Sequence, residues 1–311
     1  LISRLLGFYL IFFGALGLGL ALSRWKAWSP KIMRFSILLV EGPIFAYSFW
    51  NLDWDNLRQF APIPALSVLA IVITSVLAPL WARRLLPGEP RAQGSFVLAA
   101  AYSNIGNTGG LFLCYLLYGL PGLALGSLFL LPYPLMIFTL GFGMAHGYAR
   151  AKRLRWRDYL LNAGQNPLSV VSLSFMALGF LLNRLGVPCP AGLAPVADVF
   201  IRLNLGISCV AIGMTLSLGG LFRPWKPVAA VGVIKFLLTP LVSLLAALAW
   251  YGSFAPLPVK IILIQAAMPP AMYAVITANL FGLDRDLANS LWLSNTLLLV
   301  PVAAGLFLLL G

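Results

Sequence analysis

Two stretches of the chain gather the residue types from which a binding site can be built. One reads Tyr102-Ser103-Asn104-Ile105-Gly106-Asn107-Thr108-Gly109-Gly110, the other Gln265-Ala266-Ala267-Met268-Pro269-Pro270-Ala271. Each lies in the middle of an apolar run. Clustered glycines and amides, or two adjacent prolines, do not hold a regular helix facing lipid. Broken backbone at bilayer depth is tolerated only where it is buried or lines a cavity. Freed N–H groups at the start of a half-helix favour an anionic ligand group. Ser103, Asn104, Gly106, Asn107 and Thr108, with Gln265, Met268, Pro269 and Pro270, are therefore candidate substrate-binding residues. The competing reading of the first stretch is that small residues merely let helices pack closely. A second break at a corresponding position weighs against it, because paired breaks point to a carrier's binding site.

Charges inside apolar runs are the next candidates, since they are expensive in lipid and usually functional. Glu41 stands just before Gly42-Pro43, and Lys235 stands inside another run. A carboxylic acid at bilayer depth suits a proton carrier, so Glu41 is a coupling candidate; the alternative is a fixed ion pair with Lys235 or Arg202. Lys235 can hold an organic anion or replace a coupling cation. Asp198 and Arg202 are spaced i, i+4 and can pair with each other, or take ligand or proton roles. Asn204 follows them on the same run. Arg34 and Lys260 lie near the ends of runs and reach the interface. Chemistry beyond binding finds little material. His146 is the single histidine, and Cys114, Cys189 and Cys209 give neither a disulfide framework nor metal-ligand spacing. No nucleophile–base pair stands out, and Gly106–Gly110 lacks the Lys-Ser/Thr of a phosphate loop. The expectation is a protein that is not an enzyme and has no metal and no cofactor.

The elements that must position these residues follow from composition. Of 311 residues, 61% are hydrophobic and only 9% charged, against about 25% charged in an ordinary soluble domain. Most of the surface must face a lipid bilayer. The net charge of +13 sits in short clusters between apolar runs, as loops beside anionic headgroups do, and leaves no basic domain for nucleic acid. Ten apolar segments can be marked: Leu1–Leu22, Ile32–Trp50, Pro62–Trp81, Gln93–Leu117, Leu123–Tyr148, Pro167–Leu185, Leu193–Leu218, Pro227–Tyr251, Leu257–Leu280 and Leu287–Leu310. The first reads as a span, not a removed signal. Loops after odd segments carry Arg24, Lys26 and Lys31, then Arg83, Arg84 and Arg91, then Arg150, Lys152, Arg153, Arg155 and Arg157, then Arg223 and Lys226. The opposite loops carry Arg58 beside Asp53 and Asp55, Arg184, and Lys260. The bias puts the odd-to-even loops in the cytoplasm and both termini outside, in a multi-pass protein. Asp284-Arg285-Asp286 is the weak member of that pattern, but acidic residues count little in it.

The halves resemble each other. Phe13-Gly14-Ala15-Leu16-Gly17 matches Phe175-Met176-Ala177-Leu178-Gly179 at an offset of 162. Ala78-Pro79-Leu80 matches Thr239-Pro240-Leu241 at 161, and Tyr118-Gly119-Leu120 matches Phe281-Gly282-Leu283 at 163. Five segments per half is an odd number, so the second half enters the membrane from the opposite side. The expected fold is all-α and integral to the membrane: ten transmembrane helices in two inverted five-helix repeats, with broken helices 4 and 9 crossing. Residues 1–150 form the first repeat, 151–162 a basic cytoplasmic loop, and 163–311 the second repeat.

At these residues the sequence resembles the auxin efflux carrier family, within the bile/arsenite/riboflavin transporter superfamily. Ser103-Asn104-Ile105-Gly106-Asn107-Thr108-Gly109-Gly110 closing with Tyr118-Gly119 is similar to its Asn-containing, glycine-rich crossing. Ala267-Met268-Pro269-Pro270-Ala271 closing with Phe281-Gly282 is similar to its second crossing. Pro43, Asn166-Pro167, Gly213-Met214-Thr215-Leu216, and Lys235 with Pro240 fit as well. Glu41, at a position expected to be neutral, and Ser208-Cys209-Val210, where a proline is expected, depart from the pattern. The resemblance implies crossed helices 4 and 9 and carriage of organic acids such as auxin or malonate. The resulting expectation is a secondary active transporter of a small organic anion in the plasma membrane (the inner membrane of a bacterium), working by alternating access with a proton or sodium as coupling ion. A homodimer is compatible with the sequence. The alternatives are a sodium-coupled symporter resembling the bile-acid carriers, and a non-transporting sensor of the same fold. The bile-acid carriers look to an acidic residue in helix 9, where this chain offers Gln265.

Overall fold

A computed structural model describes residues 2–51, 60–106, 108–150, 167–216 and 225–310. The basic loop 151–162, Arg58, Asn107, Asn166 and Arg223 lie outside the described residues. Among those described, the secondary structure is helical apart from one isolated bridge. In chain order the helices are α1 (Ile2–Ala21), α2 (29–50), α3 (Pro62–Leu85), α4 (Pro90–Ala101), α5 (110–118), α6 (120–150, interrupted by a turn at Leu131-Pro132), α7 (Pro167–Arg184), α8 (Leu193–Gly213), α9 (Trp225–Tyr251), α10 (Leu257–Ala266), α11 (Met272–Leu280) and α12 (Arg285–Leu310). Among the described residues, five helical stretches are long and apolar enough to cross a membrane: Pro62–Leu85, Gly110–Leu130, Leu193–Gly213, Trp225–Tyr251 and Arg285–Leu310. The second of these is two helices, because Gly119 takes φ 62°, ψ −146°, a conformation open to glycine, and the chain turns there from α5 into α6.

Prolines explain most of the irregularities. Pro62, Pro90 and Pro258 sit in the first turns of α3, α4 and α10, where a missing N–H costs nothing. Pro240 lies inside α9 and cannot bond back to Phe236. The ladder loosens just before it into a π turn, Ile234–Leu238, and the Thr239 hydroxyl donates to the Ile234 carbonyl at 2.7 Å. A similar π turn, Ser36–Glu41, precedes Pro43 in α2. Glu41 and Lys235, the two charges standing alone in apolar runs, both ride on π turns.

The helices pack in two groups. α1 lies on α8 and α7 on α2, while α8 also packs along α2. The α1–α8 contact is backbone to backbone: a Cβ on Gly213 would lie 2.2 Å from the Leu16 carbonyl oxygen and 2.9 Å from the Gly19 Cα. In the second group α3 packs on α4, α9 on α10, α10 on the α5–α6 segment, and α12 on α4, α9 and α11. The groups meet where α2 packs against the α5–α6 segment and where the Tyr9 hydroxyl of α1 donates to the Val300 carbonyl of α12 at 2.6 Å.

Candidate functional site

The chain is non-helical between α4 and α5 and again between α10 and α11, and these two breaks meet. The Asn104 N–H donates to the Pro269 carbonyl at 2.7 Å, and the Ala271 N–H donates to the Tyr102 carbonyl at 2.8 Å. Ser103 and Pro270 face each other between these bonds as a single antiparallel bridge. Groups orphaned at two helix ends thus satisfy one another. Pro270 occupies the non-hydrogen-bonded position of the bridge, where its lack of an N–H leaves nothing unpaired.

Asn104 closes its own loop. Its carbonyl accepts from the Gly110 N–H at 2.9 Å, its side-chain oxygen accepts from the Thr108 hydroxyl at 2.8 Å, and its side-chain NH2 donates to the Thr108 carbonyl at 3.3 Å. Gly106 supplies a carbonyl to the N–H groups of Gly109 and Leu111. These bonds turn the chain into the first turn of α5 beside the crossing.

Lys235 reaches the crossing from α9. It is fully buried, and its Nζ donates to the Ser103 Oγ at 2.9 Å. Among the described residues no carboxylate pairs with it. Gln265, at the end of α10, is also fully buried. Its Nε2 donates to the Gly126 carbonyl of α6 at 3.3 Å, which fixes which way the amide points. The Oε1 has no hydrogen-bond partner among the described residues. The buried Met268 lies against Gly110, its Cγ 2.9 Å from where a Cβ would stand.

A cleft opens beside these residues, lined by Ser67, Ser103, Tyr133, Thr239 and Gln265. Ser67 Oγ and Tyr133 OH are buried and have no partner among the described residues, like Gln265 Oε1. Three elements that line the cleft, α3, α6 and α10, therefore each carry one unanswered polar atom. Such atoms are uncommon in a folded interior, because each leaves a desolvation cost unmet. Sequence reasoning missed Ser67 and Tyr133, since a lone hydroxyl in an apolar helix gives no spacing signal. The Tyr133 ring is held edge-on to Tyr102, with centroids 5.7 Å apart. The cleft is lined by the hydroxyl residues Ser67, Ser103, Tyr133 and Thr239, the amide of Gln265 and apolar walls, and Lys235 stands behind Ser103, to which it is bonded.

The charge candidates divide. Glu41 ends the π turn of α2, is half-buried, and lies within electrostatic reach of Tyr273 in α11, two residues past the crossing. Asp198 and Arg202 form an ion pair of 3.1 Å on the exposed side of α8. Asn204 is buried where α8 meets α2, accepting from the Ser36 hydroxyl, which also bonds to Ser208. These three stand on α8, while Ser103, Asn104, Gly106, Thr108, Gln265, Met268, Pro269, Pro270 and Lys235 gather at the crossing.

Residues 169–305 match a family of proteins described as membrane transport protein. The chain is 24% identical over 304 residues to an uncharacterized transporter of Methanothermobacter thermautotrophicus, covering 96% of this chain and 92% of that protein. It is 23% identical over 331 residues to an uncharacterized transporter of Methanocaldococcus jannaschii, covering 100% of this chain and 97% of that one. Several long apolar helices and these relatives indicate a multi-pass membrane transporter, similar over residues 169–305 to the membrane transport protein family.

Proposed function

We propose that the protein is a secondary carrier that moves a small organic anion across the plasma membrane by alternating access, with a proton as coupling ion. The observation that carries this reading is the Lys235–Ser103 pair at the crossing. An ammonium can donate three hydrogen bonds, and among the described residues this one makes a single bond, to a neutral hydroxyl. A charge at bilayer depth is costly unless something answers it. A substrate carboxylate beside Ser103 would answer it, and the first turns of α5 and α11 would add favourable dipole ends.

The same proposal includes the architecture: α4 with α5, and α10 with α11, each count as one of ten spans in two inverted repeats, with both termini outside. Two observations support it. The breaks at 102–109 and 267–271 correspond under the offset read from the short sequence matches. The packing partners also exchange: α1 lies on α8 as α7 lies on α2, and α3 lies on α4 as α9 lies on α10. Thr74 and Lys235 then occupy equivalent places, each five residues before a matching proline, Pro79 and Pro240. The α1, α2, α7, α8 group would serve as the frame against which the other group moves, as an elevator or by rocking.

Uptake of radiolabelled organic acids into proteoliposomes, under imposed pH or sodium gradients, tests the reading. Uptake driven by pH, indifferent to sodium and lost in Glu41→Gln, is the expected result. Absence of uptake for every acid overturns it in favour of a sensor. The unanswered oxygens of Ser67, Tyr133 and Gln265 favour one second reading, a sodium site; sodium-driven uptake would select it.

A further inference from the structure

Far from the crossing, the connection between α1 and α2 is a 3-10 turn, Ser23–Trp28, in which every residue is exposed. Its sequence is Ser-Arg-Trp-Lys-Ala-Trp, and Lys31 and Arg34 follow. No acidic residue occurs before Glu41. Trp25 is 46% exposed and Trp28 58%. Two large aromatic surfaces are thus left uncovered among four cations.

The cations are not dispersed. The Arg24 guanidinium lies over the Trp25 ring, 4.1 Å from its centroid, and the Lys31 ammonium lies over Trp28 at 4.7 Å. A cation held over an aromatic face is attracted by the ring quadrupole. Its N–H groups remain available outward, and a guanidinium presents them in the fork that matches a phosphate. Tryptophan itself settles at the headgroup level of a bilayer. The turn is also fixed to the protein: the Ser29 hydroxyl just after it donates to the Ala211 carbonyl of α8 at 2.6 Å. That anchor lies next to the close Gly19–Gly213 crossing of α1 and α8.

We propose that Ser23–Trp28 with Lys31 is a docking site for anionic phospholipid headgroups at the junction of α1, α2 and α8. The charge complementarity selects the occupant. A phosphate with no cation of its own meets Arg24, Lys26 and Lys31, whereas a zwitterionic headgroup brings an ammonium into an already positive place. The rings supply a seat at the right depth, and the anchored turn fixes where the headgroup sits. A lipid bound there would tie α1, α2 and α8 to the membrane surface.

The test uses the full chain in nanodiscs of phosphatidylcholine alone, or of phosphatidylcholine with phosphatidylglycerol. Native mass spectrometry reads which lipid is retained, and thermal unfolding reads stabilisation. The expected result is preferential retention of phosphatidylglycerol and a higher Tm with it. Replacing Arg24, Lys26 and Lys31 together by Gln should weaken that retention roughly a hundred-fold, because each cation contributes separately near an anionic surface. Trp25→Leu with Trp28→Leu leaves the charge intact and should also reduce retention. Lys260→Gln, a cation near the start of α10, should leave it unchanged. Equal retention of the two lipids by the unaltered protein overturns the proposal, and so does an undiminished preference in either the Gln or the Leu variant.

Discussion

The side-chain oxygen of Gln265 occupies the space that a Cβ on Gly110 would need: the two would lie 2.0 Å apart. Gly126 stands on the other side, its Cβ position 3.1 Å from Gln265 Nε2 and 2.7 Å from Leu111 Cδ1. Gln265 is therefore clamped between two glycines on α5 and α6, and a methyl group at Gly110 must displace it. Gly110→Ala should lower stability by about 1–3 kcal/mol, the usual range for overpacking a well-filled interior, and should impair transport. Gly106→Ala is the control, since a Cβ there meets nothing within 4 Å. Thermal unfolding of both variants checks this, and an unchanged Tm for Gly110→Ala would show that Gln265 can move aside freely.

The Lys235–Ser103 bond separates a charge effect from a positional one. Lys235→Met removes the cation and should reduce organic-acid binding by roughly ten- to a hundred-fold, the weight of a charge-assisted hydrogen bond. Ser103→Ala keeps the cation and removes only its tether, so the loss should be smaller, about five- to ten-fold. Binding measured by calorimetry would decide, and equal losses in the two variants would mean that the hydroxyl, not the ammonium, meets the ligand.

Arg202 and Asp198 lead to the opposite expectation. Their side chains are 60% and 33% exposed, so the pair is screened and poorly fixed. Arg202→Gln should change stability by less than about 1 kcal/mol and leave binding at the crossing intact. A collapse of substrate binding in that variant, measured in the same calorimeter, would place Arg202 on the substrate's route.

The sequence exposes features that act locally and hides those that depend on packing. Asn104, Gly106 and Pro269-Pro270 disrupt a helix wherever they stand, so the two breaks could be read directly. Lys235 was conspicuous because an apolar run has no reason to hold a charge. Helix ends were less legible. Apolar patterning stops the third segment at Trp81, yet α3 continues to Leu85, because Arg83 and Arg84 suit a helix C-terminus. Apolar patterning starts the fourth segment at Gln93, yet α4 starts at Pro90, a residue suited to a first turn. The π turns carrying Glu41 and Lys235 leave no pattern beyond a nearby proline. Ser67, Tyr133 and Gly126 gave no signal, since their role arises only when α3, α6 and α10 come together.

Tyr133 allows binding to be tested without disturbing the fold. Its hydroxyl is buried and has no hydrogen-bond partner among the described residues, so Tyr133→Phe breaks no bond within them. Removing an unanswered polar atom relieves its desolvation cost, and the edge-on contact with Tyr102 survives because the ring stays. Stability should hold or rise, by up to about 2 kcal/mol. If the hydroxyl meets the substrate or the coupling ion in the cleft, affinity should fall by about ten-fold while Tm does not. A protein weakened in both measurements would mean that the hydroxyl serves the fold. A Tm held or raised with unchanged affinity would remove Tyr133 from the site and shift attention to Gln265, whose Oε1 is likewise unanswered among the described residues.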